Sequence, residues 1–349
     1  VHGVRLCRVW LATSPRRSLL ARLATFISFT LSASWRLLHE PRPDIVLAVL
    51  QPLSVGLTLP LLARWKRAAL VFNIQDLHPD AQVSMGLIRS PLLIRALRVL
   101  EAHAYRRCAA LTVICESFRR HVVARGAADG SVHVVENWID TQRIAPQPDA
   151  GLAFRRQHDI DAAAFVVLWA GTLGHASGAG IVVDAATQLR DMPHVRFLVV
   201  GEGPLAATLR ERVAAAQLSN VTFRDFQPEK QLAAMQNSAD VSLVTLAASF
   251  AQVSVPSKVL AYLAAGRPVV ACVPQESETA ALVKRADAGV VVPAGDARAL
   301  ADAIRTLALN AADVRLMGER ARSYAVTHLS RTAALDRYEA ILARVVARP

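Results

Sequence analysis

Short apolar runs rich in β-branched residues alternate along this chain with segments whose apolar residues recur at helical spacing. Short runs without polar alternation are typical of parallel strands that are buried on both faces. Strands that alternate with helices predict an α/β protein in which helices cover the sheets. We therefore predict strands at 44–50, 69–74, 110–114, 132–135, 165–170, 195–200, 221–223, 241–245 and 268–272.

Apolar residues at helical spacing predict the helices between these strands. These helices cover 54–64, 91–107, 116–125, 181–189, 205–216 and 229–236, and others begin at Ser257, Glu278, Ala297 and Arg331. The proline-containing segment 145–149 interrupts the alternation, which favours a domain boundary there. We expect two doubly wound parallel-sheet domains, over 1–148 and 149–328, and a terminal helix within 329–349 that crosses back to the first domain.

Two apolar stretches in the first third of the chain are candidate membrane segments. The stretch 23–35 carries no charge but is shorter than the roughly 20 residues that cross a bilayer. Because arginines surround it, it fits an interfacial helix, and it fits a core helix under a sheet equally well. The second stretch, 45–63, is better explained by a strand, a turn at Gln51-Pro52 and a helix containing Pro60 than by a membrane span.

Charge is unevenly distributed along the 349 residues, whose formal net charge is +12. Up to Ala150 there are 19 basic and 10 acidic residues, against 21 and 18 in the remainder. A basic first half fits an anionic membrane surface, nucleic acid, or merely an arginine-rich soluble surface. Aromatic residues make up only 5% and do not interleave with basic stretches, which argues against nucleic acid. The four cysteines lack paired metal spacing, so we expect reduced thiols in a cytosolic protein.

A glycine-containing turn follows the predicted strand 195–200. Gly201 and Gly203 leave the strand end without side chains, and a helix begins shortly afterwards. Anions bind at such positions because unpaired backbone N–H groups and the helix dipole both face them. A purely structural turn explains the glycines equally well, and so this motif alone is weak.

A second motif, Pro256-Ser257-Lys258, is sharper. We predict that Ser257 caps a helix that ends near Ala265 and is closed by Gly266. Lys258 then lies in the first turn, where a cation is unfavourable unless an anion is beside it. Lysine is not the default cation of this chain, which has 4 lysines and 36 arginines. Together the two motifs predict a site for a nucleoside diphosphate.

The order of five motifs resembles the family 4 glycosyltransferases of GT-B architecture, most closely the bacterial capsule, O-antigen and colanic-acid-type enzymes. The resemblance covers nearly the whole chain. It implies two Rossmann-like domains with an interdomain cleft, and it implies that the first domain lacks an amino-terminal stretch, since the chain opens at Val1. The five segments are FNIQDLHPD (72–80), VENWID (135–140), WAGTL (169–173), VGEGP (200–204) and the segment 256–268.

The resemblance implies a retaining, metal-independent transfer of a fucose-like or N-acetylated sugar from a nucleotide diphosphate sugar, with no cofactor. The implied acceptor is lipid-linked or a polysaccharide, at the inner membrane face. By matching position, Asp76 and His78 are the catalytic residues, although Asp76 could instead cap a helix beside Pro79. The implied donor-binding residues are Gly171, Thr172, Gly201, Glu202, Gly203, Pro204, Phe226, Ser257, Lys258 and Glu278, the last of which could instead be a simple helix-start acid.

Two departures from the family pattern qualify this expectation. Val253 and Ala261 stand where many relatives carry paired glutamates. The arginine and lysine that usually follow the glycine of WAGTL are also absent, which leaves the phosphate charge to Lys258 and Arg267. Two alternatives therefore stay open: a nucleotide-sugar 2-epimerase of the same fold, and a non-catalytic subunit that binds a nucleotide sugar or glycan.

Overall fold

The computed structural model describes residues 3–13, 19–84, 86–247 and 257–347. The chain divides into two compact units, the first formed by Val1–Glu136 with Asp336–Pro349 and the second by Asn137–Leu335. The change at Asn137 precedes the boundary drawn from the sequence after residue 148. The proline-containing segment marks instead the start of a helix, since Pro148 is the first residue of α6 (Pro148–Gln157).

The first unit contains a four-stranded parallel sheet in sequential order. Its central strands are largely buried, with Phe72 and Leu111 paired across them, which explains why these runs lack polar alternation. The strands are β1 (Ile45–Val49), β2 (Ala69–Ile74), β3 (Ala110–Val113) and β4 (Val132–Val134).

Five helices connect or precede these strands. Pro91 is the first residue of its helix, and the Leu93 backbone N–H is donated to the Ser90 hydroxyl. A short helix after Pro79, α3, was not predicted from the sequence. The helices are α1 (Leu19–His39), α2 (Val55–Trp65), α3 (Asp80–Ser84), α4 (Pro91–Arg106) and α5 (Glu116–Ala124).

Helix α1 contains the stretch 23–35, for which both an interfacial helix and a core helix were expected. It packs on α2 through hydroxyl groups: Thr30 and Ser54 are hydrogen-bonded at 2.7 Å, and Ser34 donates to Thr58 at 2.8 Å. The large apolar residues face outward, with Leu31 61% and Trp35 67% exposed. Among the described residues, no element covers this apolar face of α1. Within the described residues, no helix is both long and apolar enough to span a bilayer.

The second unit contains a six-stranded parallel sheet in which the strand order reverses. From β5 the chain winds outward through β6 to β7, and from β8 it winds the other way through β9 to β10. The neighbours β5 and β8 therefore form the switch point, where ligands bind at the carboxyl ends of the strands. The strands are β5 (Phe165–Ala170), β6 (Val195–Val200), β7 (Val221–Arg224), β8 (Val241–Thr245), β9 (Val269–Cys272) and β10 (Gly289–Val292).

Helices cover both faces of this sheet and form two apolar cores. Alternate residues of β5 enter opposite cores, Val167 on one face and Leu168 on the other, as the two-residue period of a strand requires. Strand β10 and helix α13 were not predicted. Besides α6, the helices are α7 (Gly180–Gln188), α8 (Ala206–Ala215), α9 (Leu232–Asn237), α10 (Lys258–Ala264), α11 (Glu278–Arg285), α12 (Ala297–Ala308), α13 (Ala311–His328) and α14 (Arg331–Val346), the last of which belongs to the first unit from Asp336 onward.

Candidate functional site

The carboxyl ends of β5 and β8 are joined by buried polar side chains. The Trp169 indole N–H is donated to the Thr245 hydroxyl at 2.8 Å, which links the two strands at the switch point. The Tyr262 hydroxyl accepts the Ala170 backbone N–H at 3.1 Å. The sequence analysis gave these side chains no role, although a tryptophan one residue before the end of a buried strand was visible. Trp169, Thr245 and Tyr262 therefore form a hydrogen-bonded layer at the switch point.

Lys258 lies against this layer, over the ring of Trp169. Its ammonium is 4.1 Å from the centroid of the Trp169 ring, a cation–π geometry. No carboxylate of the described residues forms an ion pair with it, and the segment 248–256, whose structure is not described, contains no charged residue. Burial lowers the pKa of Lys258 to about 7. An unpaired, desolvated ammonium at a switch point is a site for an anion.

The glycines at the neighbouring strand ends serve backbone packing. The Gly171 N–H is donated to the Val200 carbonyl at 2.9 Å, and the Leu173 N–H to the Glu202 carbonyl at 2.8 Å. A Cβ on Gly201 would lie 1.9 Å from the Gly171 carbonyl oxygen. A Cβ on Gly203 would lie 2.5 Å from the Leu173 carbonyl oxygen. The close backbone approach that these glycines permit is thus to the adjacent loop, which the structural-turn alternative describes.

The start of α10 differs from the sequence prediction. Ser257 has helical backbone angles, φ −62° and ψ −22°, and its side chain makes no capping hydrogen bond. The predicted Ser257 cap is therefore wrong, because a side-chain cap requires an extended backbone at that position. The predicted end is confirmed, since Gly266 follows the helix with φ +67°. Val253 and Pro256 lie outside the described residues.

Glu278 and Phe226 occupy different environments in the second unit. Glu278 is the first residue of α11, is 9% exposed, and follows Ser277, whose hydroxyl accepts the Ala280 N–H at 3.2 Å. A helix-start position is therefore confirmed for Glu278. Phe226 follows β7 and is 73% exposed. Thr172, Glu202 and Pro204 are also exposed at the same edge of the sheet.

Arg267 does not join Lys258, contrary to the expected sharing of phosphate charge. Helix α10 returns the chain from the carboxyl edge to the amino edge of the sheet, where Arg267 precedes β9. There its guanidinium donates a hydrogen bond to the Asn237 side-chain oxygen at 3.1 Å. The two cations therefore lie at opposite edges of the same sheet.

In the first unit, Asp76 and His78 lie in the loop after the carboxyl end of β2. The Asp76 side chain is exposed and has no hydrogen-bond partner among the described residues, so helix capping is not observed. The Gln82 side-chain amide bonds Nδ1 of His78. The Nε2 atom of His78 is buried and has no partner within the described part of the chain. The Asp76 carboxylate is therefore available to a substrate, whereas Nε2 of His78 is not accessible from solvent.

Asp80, two residues after His78, fixes this loop. Its carboxylate accepts from Arg98 at 2.9 Å and from Arg125 at 2.7 Å. Burial raises the pKa of Asp80, but the hydrogen bonds from the two arginines outweigh it, and the net pKa is lowered. Beneath Asp80, the fully buried Glu101 accepts the Tyr105 hydroxyl at 2.8 Å. Sequence reasoning missed this cluster because its members are far apart along the chain.

Among the described residues, no group of three or more His, Cys, Asp and Glu side chains is placed to hold a metal ion.

Comparison with protein-family models covers both units. A glycosyl transferase 4-like domain matches residues 1–138, and a glycosyl transferases group 1 domain matches residues 164–310. The chain belongs to the family 4-like glycosyltransferases. The resemblance inferred from the five motifs is thereby confirmed.

Relatives of this glycosyltransferase include a protein named for the synthesis of colanic acid, a bacterial polysaccharide. The chain is 28% identical over 266 residues to WcaI of Escherichia coli K12, named as a colanic acid biosynthesis glycosyl transferase. That match covers 74% of this chain and 65% of WcaI, less than two thirds of its length. It is 23% identical over 300 residues to WbjE of Pseudomonas aeruginosa, named as a glycosyltransferase, with 86% of this chain and 74% of WbjE covered.

Solved structures show the same fold. Anabaena HepE in complex with UDP has a TM-score of 0.76 at 18% identity, over 93% of this chain and 84% of HepE. Sucrose-phosphate synthase of Thermosynechococcus elongatus has a TM-score of 0.74 at 18% identity, over 97% of this chain and 83% of the synthase. The prediction of two Rossmann-like domains of GT-B architecture is thereby confirmed.

Proposed function

We propose that this protein is a retaining, metal-independent glycosyltransferase of bacterial cell-surface polysaccharide synthesis, using a nucleotide diphosphate sugar as donor. The observation that carries the proposal is Lys258: an ammonium without a counter-charge, seated on Trp169 at the strand switch point of the second unit. Its pKa of about 7 means that an arriving diphosphate both pairs with it and favours its protonated form.

The reaction breaks the bond between the anomeric carbon and the diphosphate oxygen and forms a bond from that carbon to an acceptor hydroxyl. The hydroxyl proton passes to the departing diphosphate. Negative charge grows on the diphosphate as it leaves, so a fixed cation lowers the barrier more than it stabilises the bound donor. Lys258 supplies that charge from the protein itself, which supports metal-independent transfer.

The remaining site residues contribute binding and positioning. We assign donor contacts to the loops carrying Gly171, Thr172 and the segment 201–204, and to Phe226, Ser257 and Glu278, at or near the carboxyl edge that carries Lys258. Asp76 stabilises positive charge developing at the anomeric carbon or binds sugar hydroxyls, and the catalytic assignment of His78 rests on the family resemblance. The choice of a fucose-like or N-acetylated sugar rests on the family resemblance, and the relative WcaI, named for colanic acid biosynthesis, supports the pathway class.

The acceptor side is proposed to work at the inner membrane face. Exposed Leu31 and Trp35 on α1, with Leu61 and Trp65 on α2, form an apolar face, while the basic excess of the chain lies in the same half. Apolar side chains beside arginines bind anionic bilayers. Sedimentation with phosphatidylglycerol vesicles but not phosphatidylcholine vesicles would support this, and a double Leu31→Ser, Trp35→Ser variant should lose it.

The decisive experiment incubates the protein with radiolabelled nucleotide sugars and a bacterial lipid extract, with and without EDTA. Transfer to lipid that survives EDTA supports the proposal. Interconversion of the sugar without an acceptor would indicate the 2-epimerase alternative, and binding without turnover the non-catalytic subunit. The stereochemistry of the product, read by NMR, tests retention.

A further inference from the structure

The amino edge of the second unit's sheet contains a cavity that the proposed transfer does not use. It encloses about 670 Å³ and lies between the turn at 265–268, the end of α12 and the first half of α13. Volumes of 300–1,000 Å³ are usual for small-molecule sites. Phe165, the first residue of β5, lines it, whereas Lys258 lies at the opposite end of that strand. The cavity is therefore separate from the candidate donor site.

Most of the cavity wall is apolar. Pro146 and Phe165 contribute from one side, and Leu307 and Val314 from the other. Glycine at 318 lets α13 approach the turn at Gly266 closely, because a Cβ there would lie 2.6 Å from the Gly266 carbonyl oxygen. Such a wall favours an apolar body in the ligand, because apolar surface is removed from water on both partners.

Five charged side chains also line the cavity, and four of them are satisfied within the protein. Asp240 accepts from Arg155 at 2.7 Å and from the Val166 N–H at 2.7 Å. Arg315 pairs with Glu319 at 2.7 Å. The Arg322 guanidinium donates hydrogen bonds to three backbone carbonyls, those of residues 141, 144 and 264.

Arg267 is the exception. Its one hydrogen bond is to the neutral Asn237 amide, and no carboxylate within the described ranges pairs with it. Its Nε is buried and has no acceptor. A buried donor without an acceptor is destabilising, and more so when it is charged. A ligand anion that pairs with the outer nitrogens of the same guanidinium offsets part of that cost, since Nε itself is buried.

From this combination we infer that the cavity is a second binding site of the protein, which takes a small amphipathic anion. The ligand has an apolar body that fills the space between α12 and α13 and a single carboxylate or phosphate that pairs with Arg267. The site is independent of the donor site and of the transfer reaction.

The test measures binding of phenyl phosphate, benzoate and benzyl alcohol to the full chain by calorimetry. We expect one molecule of each anion to bind in this cavity per chain, at least tenfold more tightly than the neutral alcohol and separately from any anion held at Lys258. Arg267→Leu should reduce phenyl phosphate affinity at least tenfold and abolish the preference for anions. Arg298→Leu, at an exposed position of α12, is the matched control and should bind as the wild type does.

Two further variants separate this site from its alternatives. Ala311→Trp fills the cavity from an exposed position at the start of α13, keeps Arg267, and should abolish binding of all three probes in this cavity. Lys258→Met removes the donor-site cation and should leave phenyl phosphate binding in this cavity unchanged, whatever the outcome for glycosyl transfer. Absence of binding by either anion, equal affinity in Arg267→Leu, or loss of binding in Lys258→Met would each overturn the inference.

Discussion

The loops at the candidate site are held by different forces in the two units. In the second unit, backbone packs on backbone: Gly201 and Gly203 contact the loop after β5 so closely that a Cβ would clash. In the first unit, the loop with Asp76 and His78 is held by charged side chains, through Asp80 and its two arginines. Steric packing does not titrate, whereas ion pairs respond to pH and salt. The loop of the first unit should therefore respond to pH and salt, and the loops of the second unit should not.

The largest effect should come from removing the positive charge of Lys258, which lies in the second unit. Lys258→Met keeps most of the side-chain length but removes the ammonium that stabilises the departing diphosphate. We expect kcat/KM for glycosyl transfer to fall about 10³-fold. The exposed Lys284→Met is the matched control and should retain activity. Unchanged turnover in Lys258→Met would remove the phosphate assignment and with it the asymmetry between the units.

Steric packing in the second unit is tested by Gly201→Ala. The added Cβ meets the Gly171 carbonyl at 1.9 Å, and φ is +140°, so overpacking and backbone strain act together. We expect a loss of about 3 kcal/mol in the free energy of unfolding, measured in urea. Gly174→Ala serves as control, because nothing lies within 4 Å of its added Cβ. Equal stability of the two variants would contradict the packing explanation.

Chemistry in the first unit is separated from binding in the second by Asp76→Asn. The exposed carboxylate has no structural partner among the described residues, so stability should not change. We expect kcat to fall about 10²-fold while the Kd for the nucleoside diphosphate stays the same. Asp44→Asn, an exposed acid of the same unit, should be neutral in both measurements. A raised Kd with unchanged kcat would assign Asp76 to donor binding instead.

The charged anchor of the first unit is tested by Asp80→Asn. Because the folded pKa of Asp80 is lowered, its contribution is present above the unfolded pKa near 4 and is lost as pH falls through the folded pKa. We expect a loss of about 2 kcal/mol at pH 7 that shrinks on acidification. Asp129→Asn, which breaks an exposed pair with Arg119, should cost less than about 1 kcal/mol. A stability loss that is equal at pH 7 and pH 3 would contradict the electrostatic anchor.

A further effect concerns the protonation state of Lys258 when the diphosphate binds. With a pKa of about 7 in the free protein, Lys258 is neutral at higher pH and must gain a proton when the diphosphate binds. Affinity for a nucleotide sugar should therefore fall about tenfold for each pH unit above 7. Calorimetry between pH 7 and 9 in two buffers of different ionisation enthalpy measures both the fall and the proton uptake. Lys258→Met should bind weakly without this dependence, and a constant wild-type Kd would contradict the proton uptake.

Elements with strong local signals were predictable, and elements without them were not. Largely apolar runs gave β2, β5 and β6 with the bounds observed. Helix α3 was missed because it has only five residues after Pro79. The boundary after residue 148 followed proline content, but Pro148 begins a helix, where proline is favoured at the first position.

At the candidate site, the sequence identified Lys258 and the glycines, but it did not reveal which residues Lys258 contacts or what the glycines pack against. Serine beside lysine suggested a helix cap, whereas the backbone of Ser257 is already helical. Trp169 and Asp80 could not be assigned, because their partners are distant in sequence. Arg267 was grouped with Lys258 by proximity along the chain, and α10 separates them across the sheet.

The sequence by itself determined the α/β class, most of the strands, the family and the identity of the principal cation, since each rests on local periodicity or short motifs. Only the tertiary structure decided that Lys258 is unpaired and desolvated on Trp169, that the glycines serve loop packing, and that Arg267 faces a different cavity. These properties depend on contacts between residues far apart in the chain, and no local pattern encodes a distance between them.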